Sequence, residues 1–186
     1  NAGLRVSGRD KGLFAGADGS NTITSKDGGV TVTGSVYGVY AEGDHSQNTI
    51  VAKNGDVRIT TLIGASAKAS GTNDISAHGL HIEGSATFEG LLSAMGKGSS
   101  NSLHADSITL KSSLGTLLFA KDYGSNSVDA GEGGNVFLEG REKGLVADQH
   151  GKNVVTGHDI TISTSYPAAV QAMNVHLGVE ETLGLI

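Results

Sequence analysis

The chain has 186 residues, with 29 glycines, one proline, eight Tyr and Phe together, no tryptophan and no cysteine. That length suits one domain, whose core, lacking large rings, must be thin and built from Val, Ile, Leu and Ala. Collagen is excluded by the absence of a three-residue glycine period, and disulfides, thiolate chemistry and Cys-ligated metals are excluded with the cysteines. A net charge of −6 with no basic block argues against nucleic acid.

Predicted elements follow in chain order. Asn1 stands where Met would open a chain, no signal peptide follows, and Leu4-Arg5-Val6-Ser7 already reads as strand. The expectation is a piece processed or excised from something longer. Gly12-Leu13-Phe14-Ala15 is the next strand, then the turn formers Ala17-Asp18-Gly19-Ser20, then a strand beginning at Asn21. Lys26-Asp27-Gly28-Gly29 turns the chain into Val30-Thr31-Val32-Thr33. Apolar residues alternate within each strand, the two-residue period of a half-buried strand, and no stretch has a helical period. From Gly38-Val39-Tyr40-Ala41 the same succession begins again. No apolar run approaches the roughly 20 residues of a membrane helix, so the chain is read as not membrane-spanning.

Three columns share one period of about 26 residues. Asn followed two residues on by an aliphatic recurs at Asn21, Asn48, Asn73, Asn101, Asn126 and Asn153, with spacings of 27, 25, 28, 25 and 27. A closing alanine recurs at Ala15, Ala41, Ala67, Ala94, Ala120 and Ala147, and an aliphatic pair recurs at Val30/Val32, Val57/Ile59, Leu80/Ile82, Ile108/Leu110, Val136/Leu138 and Ile160/Ile162. Three short strands per coil and no two-residue hairpin signal predict a parallel β-helix, with equivalent strands stacked about 4.8 Å apart. Residues 1–186 are expected to form a single β-helix fragment of about six full coils with partial coils at each end. The stretch from Tyr166 to Ile186 drifts from the pattern.

The Asn column is read as a stacked amide ladder rather than a ligand row, because parity with the inward aliphatic places it inside or at a corner. The seven histidines (45, 78, 81, 104, 150, 158, 176) share too few neighbouring columns to converge on a metal and are taken as turn residues. The Asp-Gly turns lack the calcium β-roll repeat and the EF-hand loop. No metal or other cofactor is therefore expected. The outward position before each marker alanine holds Phe14, Tyr40, Ser66, Ser93, Phe119 and Val146, so Phe14 and Tyr40 form an expected exposed aromatic pair for a sugar face or a partner protein. On another face Arg58 neighbours His81, within a mixed row that includes Glu83, Lys111 and Glu139. Phe14, Tyr40, Arg58 and His81 are the binding candidates, and no catalytic residue is assigned.

Gly-Leu-Phe-Ala-Gly-Ala-Asp-Gly-Ser-Asn-Thr-Ile-Thr (12–24) and Gly-Val-Tyr-Ala-Glu-Gly with Asn-Thr-Ile (38–50), each followed by Val-Thr-Val-Thr-type strands, resemble the passenger repeats of bacterial type V (pertactin-like) autotransporter adhesins. The resemblance covers residues 4 to about 175 and rests on the coil pattern rather than on any one string. It implies a right-handed β-helix, export across the outer membrane to the bacterial cell surface, and adhesion or self-association. No translocator barrel is present in this sequence. The expected function is a non-enzymatic adhesin segment binding a host surface protein, a glycan or sister molecules through lateral faces. The alternative is a polysaccharide-degrading β-helix enzyme, a lyase or phage-type depolymerase. Ice binding by a flat Thr-x-Thr face is disfavoured by the charges in that row.

Overall fold

A computed structural model of the protein describes residues 3–86 and 89–165 in full, and beyond them the backbone of three strands within 170–185. The chain opens with β1 (Leu4–Ser7), β2 (Lys11–Ala15), β3 (Ser20–Ser25), β4 (Val30–Thr33), β5 (Tyr37–Glu42), β6 (Gln47–Ala52), β7 (Val57–Thr60) and β8 (Ile63–Lys68). It continues through β9 (Thr72–Gly84), β10 (Leu92–Met95), β11 (Ser100–Ser112), β12 (Leu118–Lys121), β13 (Ser125–Asp129) and β14 (Asn135–Gly140). The last strands are β15 (Leu145–Asp148), β16 (Lys152–Gly157), β17 (Asp159–Thr164), β18 (Val170–Ala172), β19 (Val175–Val179) and β20 (Leu183–Leu185). The described residues contain no helix, and every strand pair is parallel. The chain is a β-solenoid of about six turns.

Each turn contributes one strand to each of three faces. The first face is the seven-stranded sheet β2-β5-β8-β10-β12-β15-β18. The second begins β3-β6 and the third β1-β4-β7, and these two are joined into one sheet by β9 and β11. Those two strands run straight through the corner, because only His78-Gly79 and Asp106-Ser107 separate the inward Ala77 from Leu80 and Ala105 from Ile108. The neighbouring coils spend more residues there, Lys53–Asp56 on one side and 131–135 on the other. The expected three short strands per coil thus hold for most turns, and in two of them a short corner fuses two strands into one of 13 residues.

Register follows the sequence columns. Asn48 pairs with Asn21 and Asn73, and Val39 lies between Leu13 and Ala65. Inward aliphatics fill the lumen: Val32, Ile59, Ile82, Leu110 and Leu138 on the third face are all buried to within 1 % of complete exclusion. Burial of such a side chain contributes about 1.5–3 kcal/mol, and stacking repeats it on every level. The amides form a continuous line. Asn21 Nδ2 donates to Asn48 Oδ1 at 2.9 Å, Asn48 to Asn73 at 2.9 Å, Asn73 to Asn101 at 2.8 Å, Asn101 to Asn126 at 2.9 Å and Asn126 to Asn153 at 2.8 Å. Each amide nitrogen also donates to a first-face carbonyl, from Phe14 O to Val146 O, and so pins two faces together.

The corner before this line is set by left-handed backbone. Asp18, His45, Ser70, Gly98, Tyr123 and His150, each three residues before its asparagine, have φ between +56° and +81°. Next comes glycine or serine, and at Gly71, Gly124 and Gly151 space explains the glycine: a Cβ at Gly151 would collide with the carbonyl of Ala120 one coil below. Beyond residue 165 the backbone keeps its register, with β18 on β15, β19 on β16 and β20 on β17. Val175 takes the asparagine position opposite Asn153, which is where the sequence pattern drifts.

Candidate functional site

Two lateral clusters gather the side chains capable of recognition. The first lies on the seven-stranded face. Phe14 and Tyr40 stack at 5.6 Å between centroids and 21° between planes, and Tyr37 stacks on Tyr40 at 4.4 Å. Lys11 Nζ sits 4.1 Å from the Phe14 centroid and 5.0 Å from that of Tyr40, a cation held against the ring faces. Lys68 closes the other side and donates to Glu89 Oε1 at 2.6 Å.

The expected exposed aromatic pair needs correction here. Phe14 is 44 % exposed, but Tyr40 is only 5 % exposed. Phe14, Tyr37, Lys11 and Lys68 crowd its ring, and an insertion adds to the cover on this face. Glu83 to Leu92 takes nine steps along the chain where the paired Thr60 to Ala65 takes five. The described residues of the extra chain lie against the first face. Gly90 lies against Phe119, Ala86 is buried, and Glu89 reaches Lys68. Ser66 and Ser93, outward by strand parity, are fully buried, and their hydroxyls have no hydrogen-bond partner. Burial is also the main reason that Tyr40 holds its proton far above the usual tyrosine range, with the Glu42 bond and charge adding to it. Tyr37 is raised likewise, by burial first and then by the Glu89 charge. For Lys68 burial is the largest single influence and acts downward. The Glu89 bond and the charges of Glu89, Tyr37 and Glu42 outweigh it and hold the ammonium above its ordinary value.

The second cluster is a notch cut into the corner between the second and third faces. Because β9 and β11 take the corner directly while their neighbours loop outward, a recess of about 300 Å3 opens there. Asp56, Arg58, His78, His81, Ser107 and Thr109 line it. Register places Arg58 beside His81, and His81 beside Thr109. The His78 ring lies between two carboxylates, with Nδ1 3.8 Å from Asp56 Oδ1 and Nε2 3.7 Å from Asp106 Oδ2. His81 Nε2 is 3.6 Å from Glu83. Gly79 keeps the floor low, since a Cβ there would stand 2.6 Å from Asp56 Oδ1. Among the described residues no carboxylate lies within ion-pair distance of Arg58, whose guanidinium is exposed on the rim.

The four binding candidates therefore fall into two separate places, Phe14 with Tyr40 on the first face and Arg58 with His81 in the notch. Lys11, Tyr37, Lys68, Glu89, Asp56 and His78 are not among the binding candidates read from sequence, and His78, taken there as a turn residue, lies within β9. The signal for the notch residues lay in the step from the small inward residue to the aliphatic pair, five residues at Ala52/Val57 but three at Ala77/Leu80 and Ala105/Ile108, a difference the Asn spacing hides because the insertion before Leu92 falls in the same interval as the shortened corner of β9. Of the other histidines, His45 pairs with Asp18 at 3.1 Å and His104 with Asp129 at 3.2 Å, while His150 stacks on Tyr123. His176 lies outside the residues whose side chains are described. No group of three His, Asp or Glu side chains among the described residues is placed to hold a metal ion. Further along the third face Lys111 bonds Glu139 at 2.9 Å and lies 5.3 Å from the Phe137 ring.

No protein-family model, curated protein sequence or solved structure matches the chain.

Proposed function

We propose that the chain is a non-enzymatic, surface-exposed adhesive segment of the autotransporter-passenger type, which binds a host surface protein, a glycan or sister copies through its lateral faces. The observation that carries this reading is the pairing of a regular shaft with irregular flanks. The Asn line and aliphatic columns repeat on every coil, whereas the outward positions vary and gather cations, carboxylates, hydroxyls and an exposed ring at two places on the side. A structural rod without recognition needs no such variation. Many weak polar contacts spaced along one rigid body add up through effective concentration, so individually weak sites still hold a surface. Its acidic, cysteine-free, Gly- and Thr-rich make-up suits export to the bacterial exterior.

The test is to display the chain on cells or beads and measure clumping and retention on glycan-coated and host-protein-coated surfaces. Binding should drop several-fold with Phe14→Ala or with Arg58→Ala/His81→Ala, and more than additively when the two are combined. A displayed chain that neither clumps nor holds any surface ends this reading.

A polysaccharide-degrading reading draws on one feature, the His78 ring flanked by Asp56 and Asp106 in an open recess. It predicts new reducing ends when acidic glycans are incubated with the chain, and loss of that signal in Asp56→Asn. The adhesive reading predicts none.

A further inference from the structure

We infer that Tyr123, backed by His150, is a stacking platform for one ring of a neutral hexose, on the corner that precedes the Asn line and outside the two clusters described above. The inference deepens the adhesive reading, on which it rests, by adding a third place on the shaft and naming one ligand class. Three observations converge. Tyr123 is the most exposed large hydrophobic side chain among the described residues, at 61 %, yet its ring is held in place, stacked on His150 at 4.8 Å between centroids and 16° between planes. His150 belongs to the next coil, so the stack runs with the solenoid axis and the other face of Tyr123 is turned toward the preceding coil. That coil puts exposed Gly98 at the same corner position. One coil further back stands Ser70, whose hydroxyl donates to the Lys97 carbonyl at 3.0 Å. The side chain that would continue the stack is missing over one rise of about 4.8 Å, the level that a flat ring would take. The backbone supplies the third observation. Asp122, Tyr123, Gln149 and His150 all have positive φ, from +46° to +66°, at a corner that Gly98 turns without a side chain. A bulky residue in the left-handed region costs stability, and such strain gathers at functional sites. A pyranose suits the place. One of its faces carries C–H bonds whose partial positive charge is drawn to the negative face of an aromatic ring, while its hydroxyls project at the rim. Lys97 and Asp122, exposed and each just before the corner residue of its coil, offer a donor and an acceptor, and Lys121 lies beside Asp148 in the adjoining strands. These charges offset one another, so nothing there selects an ionised sugar. Beyond Ser70 a recess of about 410 Å3, lined by Asp44, His45, Gln47, Ser70 and Thr72, gives room for a further sugar unit.

The experiment titrates the whole chain with cellotriose, with the β-linked trisaccharide of galactose, and with trigalacturonate as an acidic counterpart, read by saturation-transfer NMR. At least one neutral probe should bind, with transfer from tyrosine ring protons to its C–H protons, and more tightly than trigalacturonate. Tyr123→Gly removes the ring and relieves the left-handed strain, so the variant should stay folded and bind about fivefold or more weakly. Tyr123→Phe keeps the platform and should keep most of the affinity. Gly98→Asn, a residue type that tolerates the left-handed region, fills the gap from the other side and should weaken binding as much as Tyr123→Gly. Phe137→Ala removes an exposed ring from another face and should leave binding intact. Circular dichroism verifies that each variant is folded. Binding of neither neutral probe overturns the platform, as does tighter binding of trigalacturonate. Affinity that survives Tyr123→Gly or Gly98→Asn, that is lost with Tyr123→Phe, or that falls equally with Phe137→Ala also overturns it. If any of these occurs while displayed chains still clump or hold a surface, the platform fails and the adhesive reading stands. A Tyr123-dependent affinity without clumping or retention is the reverse case.

Discussion

Asn101 sits mid-line, excluded from water, and serves three neighbours at once: it accepts from Asn73, and it donates to Asn126 and to the Ser93 carbonyl. Truncation to alanine leaves a donor and two acceptors buried without partners, each costing about 1–3 kcal/mol. Asn101→Ala should therefore lower stability by about 3 kcal/mol or more, visible as a fall in the urea midpoint. Asn153 accepts from Asn126 and donates to the Val146 carbonyl, with Val175 opposite it in the next coil, so Asn153→Ala should cost less. Equal losses at the two positions would count against a line in which each amide polarises the next. Tyr40 gives a second test at this scale. Its pKa is raised on folding, so the folded chain keeps the phenolic proton where the unfolded chain has lost it. The sign follows: the stability it contributes is complete below pH 10.0, the ordinary tyrosine value, and drains away as pH rises beyond that. Tyr37 and Lys68, both raised, act in the same direction. Unfolding free energy should be flat in this respect from neutrality to about pH 9 and then fall, and Tyr40→Phe should make the decline shallower.

At the scale of elements, corner length decides what the surface offers. The strands themselves were legible from sequence, since period, alternation and the Asn, Ala and aliphatic columns are all local signals, and the register reproduces them pair by pair. The notch and the covered first face were not. Parity assigns Ser66 and Ser93 to the outside, and it does so correctly for direction. It cannot tell that Glu89 and Gly90 of the insertion come to lie against Lys68 and Phe119 on that surface, because which coil an insertion lies on is a tertiary fact. In retrospect the small pair of serines, set between Tyr40 and Phe119 in one column, marks the space into which the insertion fits. Likewise Asp56 and Asp106 were plain turn residues until the shortened corner of β9 put His78 between them. This dependence is testable. Adding two residues after His78, which restores the corner length of the preceding coil, should fill the recess and weaken retention of the displayed chain on whichever surface it holds, while the far-ultraviolet dichroism stays unchanged. Undiminished binding would place recognition elsewhere on the shaft.

At the scale of the molecule, each coil touches chiefly the coils above and below, so stability is close to a sum over levels and their interfaces. A whole level can then be excised if the register is kept. Removing 101–125 joins Ser100 to Asn126 and renews the amide line from Asn73 to Asn126, so the shortened chain should still fold, with its length reduced by about 4.8 Å. Its melting should remain a single cooperative transition a few degrees lower. A collapsed or molten product would mean that the coils are not interchangeable. The same stacking governs how the shaft bears load. Its backbone hydrogen bonds point along the long axis, so tension on the two ends draws coils apart level by level instead of shearing strands past one another. One level that lets go releases about 26 residues, roughly 85–95 Å of extended chain, from a rise of only 4.8 Å. Pulled from its ends such a shaft lengthens in steps, each taking up a jolt before it passes to the next level.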